Sequence, residues 1–329
     1  MRFAVLGAGG WGTAIARLLA QHDHPTVLWA RNPARASEID QERTNDAYLP
    51  GVSLPASLSV TADLAEGLTA ETLILAVPSI GMADLLTQID DAGPQPRQIV
   101  NLAKGMDRTT HQTMSELILE RFPEADVFML SGPSHAEEVG RDIPTAVVLA
   151  GANLELGRSL QHEIATPRFR VYLSNDLRGV ELCSTVKNVI ALATGVADGL
   201  GYGDNSRGAL ITRGLAEMVR FGRRYGVQDA TFFGLSGLGD LVATCTSQHS
   251  RNRAVGVRLG RGESIDDILR DMSMVAEGVF ATDVVAHLAA EQGIEMPITD
   301  AVYRLLRGNA EPLSLVDEIM TRSPKREDF

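Results

Sequence analysis

Near its N-terminus the chain reads Gly7-Ala8-Gly9-Gly10-Trp11-Gly12, a Gly-x-Gly-x-x-Gly sequence. A short apolar run at residues 2–6 precedes it, and residues 13–20 follow with apolar side chains at helical spacing. Between a strand and a helix, the first glycine permits a tight turn and the second lets the backbone approach a pyrophosphate. The third lets the helix pack on the strand, and the helix N-terminus offers N–H donors to the phosphates. We therefore predict a dinucleotide-binding turn; a glycine-rich turn with a purely structural role is the alternative.

The first half of the chain alternates short apolar runs with helical patterns. We predict strands at residues 2–6, 26–30, 58–60, 72–77, 98–102, 127–130, 146–149 and 170–173. We predict further helices at residues 82–88, 110–121 and 154–165. This alternation is typical of a mainly parallel sheet with helices on both faces.

Beyond Ser174 the sequence contains only helical patterns. They cover residues 177–197, 206–222, 240–247, 251–259, 264–272, 281–292, 299–306 and 313–320. We therefore predict an α/β fold, with an N-terminal Rossmann-type domain at residues 1–175 and an all-helical C-terminal domain at residues 176–329. The first is expected to bind a dinucleotide and the second to bind the substrate.

The end of the second predicted strand indicates which cofactor is bound. An acidic residue there would accept a hydrogen bond from a ribose 2′-hydroxyl, but this chain has Arg31 instead. Asp23, the nearest acid, lies before the strand and so at its other end. Because a guanidinium can pair with a 2′-phosphate, we predict NADP(H), with NAD(H) also accepted. A surface arginine at the start of a loop is the alternative.

Composition limits the class of protein. The 329 residues carry a formal net charge of −12, which argues against a general binder of nucleic acid or of anionic membranes. No signal peptide and no apolar run long enough to span a bilayer are expected, so we predict no stable membrane insertion. Two cysteines, Cys183 and Cys245, make no disulfide framework and suggest the reducing cytoplasm. We expect no metal site, and we expect a homodimer.

Two predicted strand ends in the first half present polar residues. Lys104 follows one strand, and Ser131-Gly132-Pro133-Ser134 follows another. In open parallel sheets ligands bind outside the carboxyl ends of the strands, so both stretches suit a ligand. Pro133 or Ser134 can open a helix, and Ser134 with Glu137 has capping-box spacing, so a simple N-cap is the alternative for Ser134. His135 is expected to be exposed and is given no role.

Lys187 lies on a helical pattern whose other side chains are mostly apolar. Leu182, Val186, Val189, Ile190 and Ala193 form its apolar face, and Lys187 lies off the centre of that face. Its neighbours one turn away are small, which leaves room for a ligand. A lysine that extends to solvent is the alternative.

Two turns in the second half are suited to polar ligands. A glycine-rich turn leads into a helix at Asp240, which could orient a lysine or merely cap that helix. Ser250 is a good N-cap, which places Arg251 and Asn252 in a first helical turn. Basic residues there oppose the helix dipole, and a bound phosphate would resolve the conflict. A solvated basic turn is the alternative.

These motifs together resemble a known family. The chain is similar to bacterial NAD(P)-dependent glycerol-3-phosphate dehydrogenases, within the wider group with a 6-phosphogluconate-dehydrogenase-like fold. The matching stretches, in order, are Gly7–Gly12, Val77-Pro78-Ser79, Lys104-Gly105, Ser131–Ser134, Val186-Lys187-Asn188, Gly237–Asp240 and Ser250-Arg251-Asn252. The resemblance implies reduction of dihydroxyacetone phosphate to sn-glycerol 3-phosphate, a precursor of phospholipids. Many members have Ser where this chain has Gly10, which puts only a side-chain contact in doubt.

The resemblance also implies roles for individual residues. Lys187 would be the catalytic proton donor and acceptor. Substrate contacts would be Lys104, Gly132, Ser134, Lys187, Asp240, Ser250, Arg251 and Asn252. Cofactor contacts would be Gly10, Trp11, Arg31, Lys104, Ala136, Arg251, Val275 and Glu277, beside the turn glycines Gly7, Gly9 and Gly12.

Two other functions remain open from the sequence. One is a two-domain dehydrogenase of the same architecture that acts on a β-hydroxyacid or on ketopantoate. Such substrates carry a carboxylate, which suits the Ser250-Arg251-Asn252 turn less well than a phosphate does. The other is a module that only senses NADP(H), which needs no proton donor and leaves the surroundings of Lys187 unexplained.

Overall fold

The computed structural model describes residues 1–93, 95–272, 274–321 and 326. The chain divides into two compact units, Met1–Lys104 with Gln112–Leu177, and Gly105–His111 with Arg178–Phe329. The first unit thus ends two residues after the division expected at residue 175. The expected division also left Gly105–His111 in the first domain, whereas Met106 packs in the core of the second unit.

The first unit is built on a sheet of eight strands. In chain order the strands of this unit are β1 (Phe3–Leu6), β2 (Thr26–Trp29), β3 (Thr44–Asn45), β4 (Leu49–Ser53), β5 (Leu58–Thr61), β6 (Thr72–Leu75), β7 (Gln98–Asn101), β8 (Asp126–Ser131), β9 (Thr145–Gly151) and β10 (Phe169–Ser174). The sheet order is β10-β9-β8-β7-β6-β1-β2-β5, and only β8 and β9 pair antiparallel. All eight predicted strands and the mainly parallel sheet are confirmed. The antiparallel pair β3–β4 was not predicted.

Helices cover both faces of this sheet. They are α1 (Gly10–Gln21), α2 (Pro33–Glu42), α3 (Leu64–Gly67), α4 (Met82–Asp91), α5 (Met114–Arg121), α6 (Ala136–Val139) and α7 (Leu154–Ile164). Successive residues of β1 belong to different cores: Val5 packs on one face, and Ala4 and Leu6 pack on the other. The predicted start of α5 at residue 110 was wrong, because a capping box between Thr113 and Glu116 begins the helix at Met114.

The second unit is helical in the residues that the structure describes. Its helices are α8 (Leu177–Gly199), α9 (Asp204–Arg224), α10 (Asp229–Phe232), α11 (Asp240–Thr246), α12 (Arg251–Gly260), α13 (Ile265–Asp271), α14 (Glu277–Glu291), α15 (Pro297–Leu306) and α16 (Pro312–Met320). Every predicted helix of this half is present. A short π-helical segment, Leu235–Gly239, forms the predicted glycine-rich turn before α11.

Helix α8 is the centre of the second unit. It is long and apolar enough to span a bilayer by length and composition, contrary to the sequence-based expectation, but 94% of the apolar window is buried inside the protein. It is the one such helix in the described part of the chain. Such burial is typical of a core helix, which explains its apolar composition without a membrane.

Candidate active site

The three motif glycines of the first turn have different surroundings. Gly7 has φ of 127°, and a Cβ there would lie 2.8 Å from the carbonyl carbon of Ala76. A Cβ at Gly12 would lie 2.8 Å from the Cβ of Ala76. A Cβ at Gly9, in contrast, would meet no atom of the described residues within 4 Å. Backbone conformation and packing therefore require the first and third glycines, while the second exposes backbone to a ligand, as a pyrophosphate site needs.

The hairpin β3–β4 closes over the start of α1. A Cβ at Gly10 would lie only 2.6 Å from the carbonyl oxygen of Tyr48. The departure from Ser at this position therefore concerns more than a lost side-chain contact, since any side chain would displace the hairpin. Beside it, Nε1 of Trp11 is buried and has no hydrogen-bond partner in the part of the chain that is described. A buried N–H of this kind suits a ligand that supplies an acceptor.

Arg31 is exposed just after β2, next to the N-terminus of α2. Asn32 caps that helix by accepting from the backbone N–H groups of Ala34 and Arg35. Arg35, which the sequence reasoning missed, donates to Asn45 Oδ1 at 2.8 Å and lies over the ring of Tyr48.

Lys104, Gly132 and Ser134 are brought together at the carboxyl ends of β7 and β8. Lys104 Nζ donates to the carbonyl oxygen of Gly132 at 3.0 Å and lies 3.4 Å from Ser134 Oγ. The Ser134 hydroxyl donates to the same carbonyl oxygen at 2.9 Å. Gly132 has φ of 138°, which a glycine adopts readily.

The alternative of a simple capping role for Ser134 is wrong. Helix α6 begins at Ala136 with His135 as its N-cap, and no side chain caps it. The Ser134 hydroxyl is engaged with Gly132 instead. His135 had been expected to be exposed, but it is half-buried. Ala136 approaches the glycine-rich turn, since its Cβ would lie 3.5 Å from a Cβ at Gly10.

Lys187 is buried in the second unit, so the alternative of a solvent-directed lysine is wrong. Lys187 is 3% exposed, and its Nζ lies 2.8 Å from Asp240 Oδ1. Nζ also donates to Thr244 Oγ1 at 2.7 Å, and the Thr244 hydroxyl donates to Asp240 Oδ1 at 3.2 Å. Asp240 begins α11 and holds the ammonium group. Thr244 was missed; its position one turn after Asp240 on the same helix was the signal.

Cys245 follows Thr244 on α11 and is fully buried. Burial, above all other causes, raises the pKa of its thiol to about 12. A thiol with so high a pKa stays neutral near pH 7 and is a poor nucleophile.

The first turn of α12 is tied to two other helices of the second unit. Ser250 is the N-cap, as predicted, and its Oγ accepts from the backbone N–H of Arg253 at 3.2 Å. Asn252 Nδ2 donates to Asn188 Oδ1 at 2.9 Å, and Asn252 Oδ1 accepts from the N–H of Gly278 at 2.9 Å. The turn is therefore held by α8 and by the start of α14.

Arg251 is exposed at the beginning of α12, where its Nη1 donates to the carbonyl oxygen of Val275 at 2.9 Å. Val275 and Glu277 are half-buried, and Glu277 is the first residue of α14. An exposed guanidinium beside a helix N-terminus can bind an anion, because both the charge and the N–H groups favour it.

Comparisons with known proteins identify the family of this chain. Family models described as the N-terminal and C-terminal parts of NAD-dependent glycerol-3-phosphate dehydrogenase match residues 2–157 and 176–317. A protein of Chlorobium limicola named glycerol-3-phosphate dehydrogenase [NAD(P)+] is 46% identical, with 100% of both chains covered.

Among the solved structures that are similar to this chain is one of a glycerol-3-phosphate dehydrogenase. The crystal structure of glycerol-3-phosphate dehydrogenase from Coxiella burnetii has a TM-score of 0.93 and 38% identity, and covers 98% of this chain and 99% of its own. A ketopantoate reductase of Ralstonia eutropha has a TM-score of 0.64 over 96% of this chain and 100% of its own, but only 16% identity, which shows a shared fold alone. The family models and the full-length relative together show that this chain belongs to the NAD-dependent glycerol-3-phosphate dehydrogenase family.

Proposed function

We propose that this chain transfers hydride between NAD(P)H and dihydroxyacetone phosphate, giving sn-glycerol 3-phosphate for phospholipid synthesis. One observation carries the proposal. Lys187 and Asn188 are adjacent on α8; the first is buried beside Asp240, and the second is hydrogen-bonded to Asn252 in the first turn of α12. A proton donor and an anion-binding turn are therefore positioned by one rigid element, as reduction of a phosphorylated ketone requires.

The residues around the glycine-rich turn fit a dinucleotide. Gly7, Gly9, Gly10 and Gly12 would hold the pyrophosphate, Trp11 would offer its buried N–H, and Arg31 would pair with a 2′-phosphate. Lys104, Ala136, Arg251, Val275 and Glu277 are proposed as further contacts. When bound, the cofactor supplies or accepts the hydride.

Lys187 is the proposed catalytic residue. As hydride reaches the carbonyl carbon, negative charge develops on the oxygen, and the ammonium group of Lys187 stabilises it and donates a proton. In the oxidation direction the amine takes the proton back. Asp240 and Thr244 orient Nζ through the contacts of 2.8 and 2.7 Å.

The phosphate is assigned to the α12 turn. Arg251, Asn252, Ser250 and the N–H groups of this turn are proposed to hold it, with Lys104, Gly132 and Ser134 as further substrate contacts. Binding energy at the phosphate would then position the carbonyl for reaction. This assignment disfavours a carboxylate substrate such as ketopantoate, and the buried Lys187 disfavours a module that only senses NADP(H).

The test is a steady-state assay by absorbance of the reduced nicotinamide. Turnover with dihydroxyacetone phosphate, and none with ketopantoate or with a β-ketoacid, would support the proposal. Oxidation of NADPH only with ketopantoate would favour the second enzyme. Tight NADPH binding without turnover of any of these would favour the sensor. Parallel assays with NADH measure the cofactor preference.

A cytoplasmic homodimer completes the proposal. Cys183 and Cys245 are both buried and form no disulfide in the described part of the chain, which suits a reducing compartment. Light scattering that gives twice the mass of one chain would support the dimer, and the mass of a single chain would contradict it.

A further inference from the structure

Asp198 lies near the end of α8 and binds two arginines from other helices. Its Oδ2 accepts from Arg253 Nε at 2.7 Å, and its Oδ1 accepts from Arg207 Nη2 at 2.7 Å. The Asp198 side chain is 9% exposed, while the Arg253 and Arg207 side chains are 23% and 26% exposed. One nearly buried carboxylate thus joins α8, α9 and α12.

The backbones of α8 and α12 are in close contact at the same place. A Cβ at Gly195 would lie 2.9 Å from the Cα of Gly256, and a Cβ at Gly199 would lie 2.9 Å from the Cα of Gly260. Asp198 stands between the two glycines of α8. Arg253, in the first turn of α12, is therefore held through its side chain where the helices already touch. A small lateral movement of α12 against α8 would break the contact between Asp198 and Arg253. The close packing of the two helix backbones leaves little free volume for such a movement.

Arg253 is adjacent to Asn252 and two residues from Arg251. Two arginines in one first turn oppose the helix dipole. Asp198 neutralises Arg253 and directs it to α8, whereas Arg251 is exposed and its guanidinium donates to the neutral carbonyl of Val275. The two arginines of this turn therefore have different surroundings: one is a fixed anchor and the other is an exposed cation.

Asp198 and Lys187 also lie on the same side of α8. They are separated by 11 residues, which is about three turns of an α-helix. One helix thus carries the buried lysine at its middle and the anchor of the α12 turn near its end. The distance between the ammonium and the anion-binding turn depends on both contacts.

We propose that Asp198 is a positioning residue: by holding Arg253, it fixes the first turn of α12 so that Arg251 and Asn252 meet the substrate phosphate. The inference rests on the proposed function, since it assumes that this turn binds phosphate. Asp198 itself touches neither substrate nor cofactor in this account.

The test uses Asp198→Asn and Arg253→Gln, with Asp204→Asn as the matched control. Asp204 also pairs with Arg207, but its side chain is 94% exposed and it makes no contact with Arg253. Two quantities are measured: the KM for dihydroxyacetone phosphate, and the inhibition constant of inorganic phosphate competing with it. We expect both to rise about tenfold in Asp198→Asn and Arg253→Gln, with kcat changed less than about threefold, and neither to change in Asp204→Asn.

A double-mutant cycle separates positioning from general destabilisation. Because both substitutions break the same contact, Asp198→Asn/Arg253→Gln should raise the two constants no more than either single variant does. A merely structural role would lower the active fraction, and hence kcat, while the inhibition constant of phosphate stayed the same. Arg253→Gln keeps the Asp198–Arg207 pair, so it carries the test if Asp198→Asn does not fold.

Arg251→Ala distinguishes failure of the inference from failure of the proposed function. If Arg251→Ala raises both constants while Asp198→Asn and Arg253→Gln leave them unchanged, the positioning role is overturned and the phosphate site stands. If Arg251→Ala also leaves them unchanged, the phosphate lies elsewhere, and both are overturned.

Discussion

At the scale of single residues, Lys187 is buried with an acid and a hydroxyl rather than with an acid alone. Asp240 Oδ1 is 2.8 Å from Nζ, and Thr244 Oγ1 bridges the two groups. Even a well hydrogen-bonded buried ion pair seldom stabilises a protein more than apolar groups of similar volume would, so its presence in a helical core is consistent with a use beyond stability. This use, in our proposal, is delivery of a proton to the reduced carbonyl.

We expect Lys187→Met to lower kcat by at least about 100-fold, the lower range for loss of a general acid. The side chain keeps most of its length and suits a helix, so the fold should survive, although Asp240 is left without its cation. Circular dichroism and NADPH fluorescence titration serve as controls, because the glycine-rich turn is unchanged. A variant that binds NADPH and keeps near-native kcat would show that Lys187 is structural. The proton donor would then be sought at Lys104.

At the scale of elements, the hairpin β3–β4 and the turn before α1 depend on each other. A Cβ at Gly10 would lie 2.6 Å from the Tyr48 carbonyl oxygen, whereas a Cβ at Gly9 would meet no described atom within 4 Å. We expect Gly10→Ala to lower the free energy of unfolding by about 1–3 kcal/mol, as overpacking does. Gly9→Ala is the matched control: its stability should be close to wild type, but its Kd for NADPH should rise. Equal stabilities of the two variants in urea unfolding would refute this account.

The elements most accessible from sequence were those with strong periodicity. The central strands β1, β2 and β6 are fully buried, whereas the edge strands β5 and β10 are only partly buried. In the second unit, α8 is buried along most of its length. Helix α2 was missed because only Ala36 and Ile39 are buried on it, so it has little apolar periodicity. The hairpin was missed because Pro50 and Gly51 interrupt the alternation of β4.

Hydrogen bonds of the candidate site were more predictable where both partners lie within a few residues of the chain than where the fold brings them together. Ser250, as an N-cap, acts within four residues and was identified correctly. Ser134 has the spacing of a cap, but a backbone carbonyl took its hydroxyl. Asp198 gains Arg253 as its partner from a helix that is distant in sequence, which local spacing does not indicate.

At the scale of the whole molecule, stability depends on a buried acid that the proposed mechanism does not use. Glu217 on α9 is 1% exposed and accepts from the backbone N–H groups of Ile298 and Thr299 at 2.6 and 3.1 Å. The Thr299 hydroxyl donates to it at 2.9 Å. Glu217 thereby caps the start of α15 from another helix. Burial is the largest effect on this carboxyl and raises its pKa to about 7 from 4.5, although these hydrogen bonds oppose the rise.

The sign of the pH dependence follows from that elevation. The folded protein keeps the proton of Glu217 to a higher pH than the unfolded chain does, so this group contributes its full stability below about pH 4.5. The contribution is lost as pH rises towards 7, and amounts to about 3 kcal/mol at ~1.36 kcal/mol for each unit of pKa. The Glu217→Gln variant has no proton to lose at this position. Between pH 4.5 and 8, the unfolding free energy of the wild type should therefore fall by about 3 kcal/mol relative to that of the variant. Urea unfolding at a series of pH values measures this difference, in which the other titrating groups cancel. If the stability curves of the two proteins ran parallel with pH, the pKa of Glu217 would be the same in the folded and unfolded states, which would contradict this prediction.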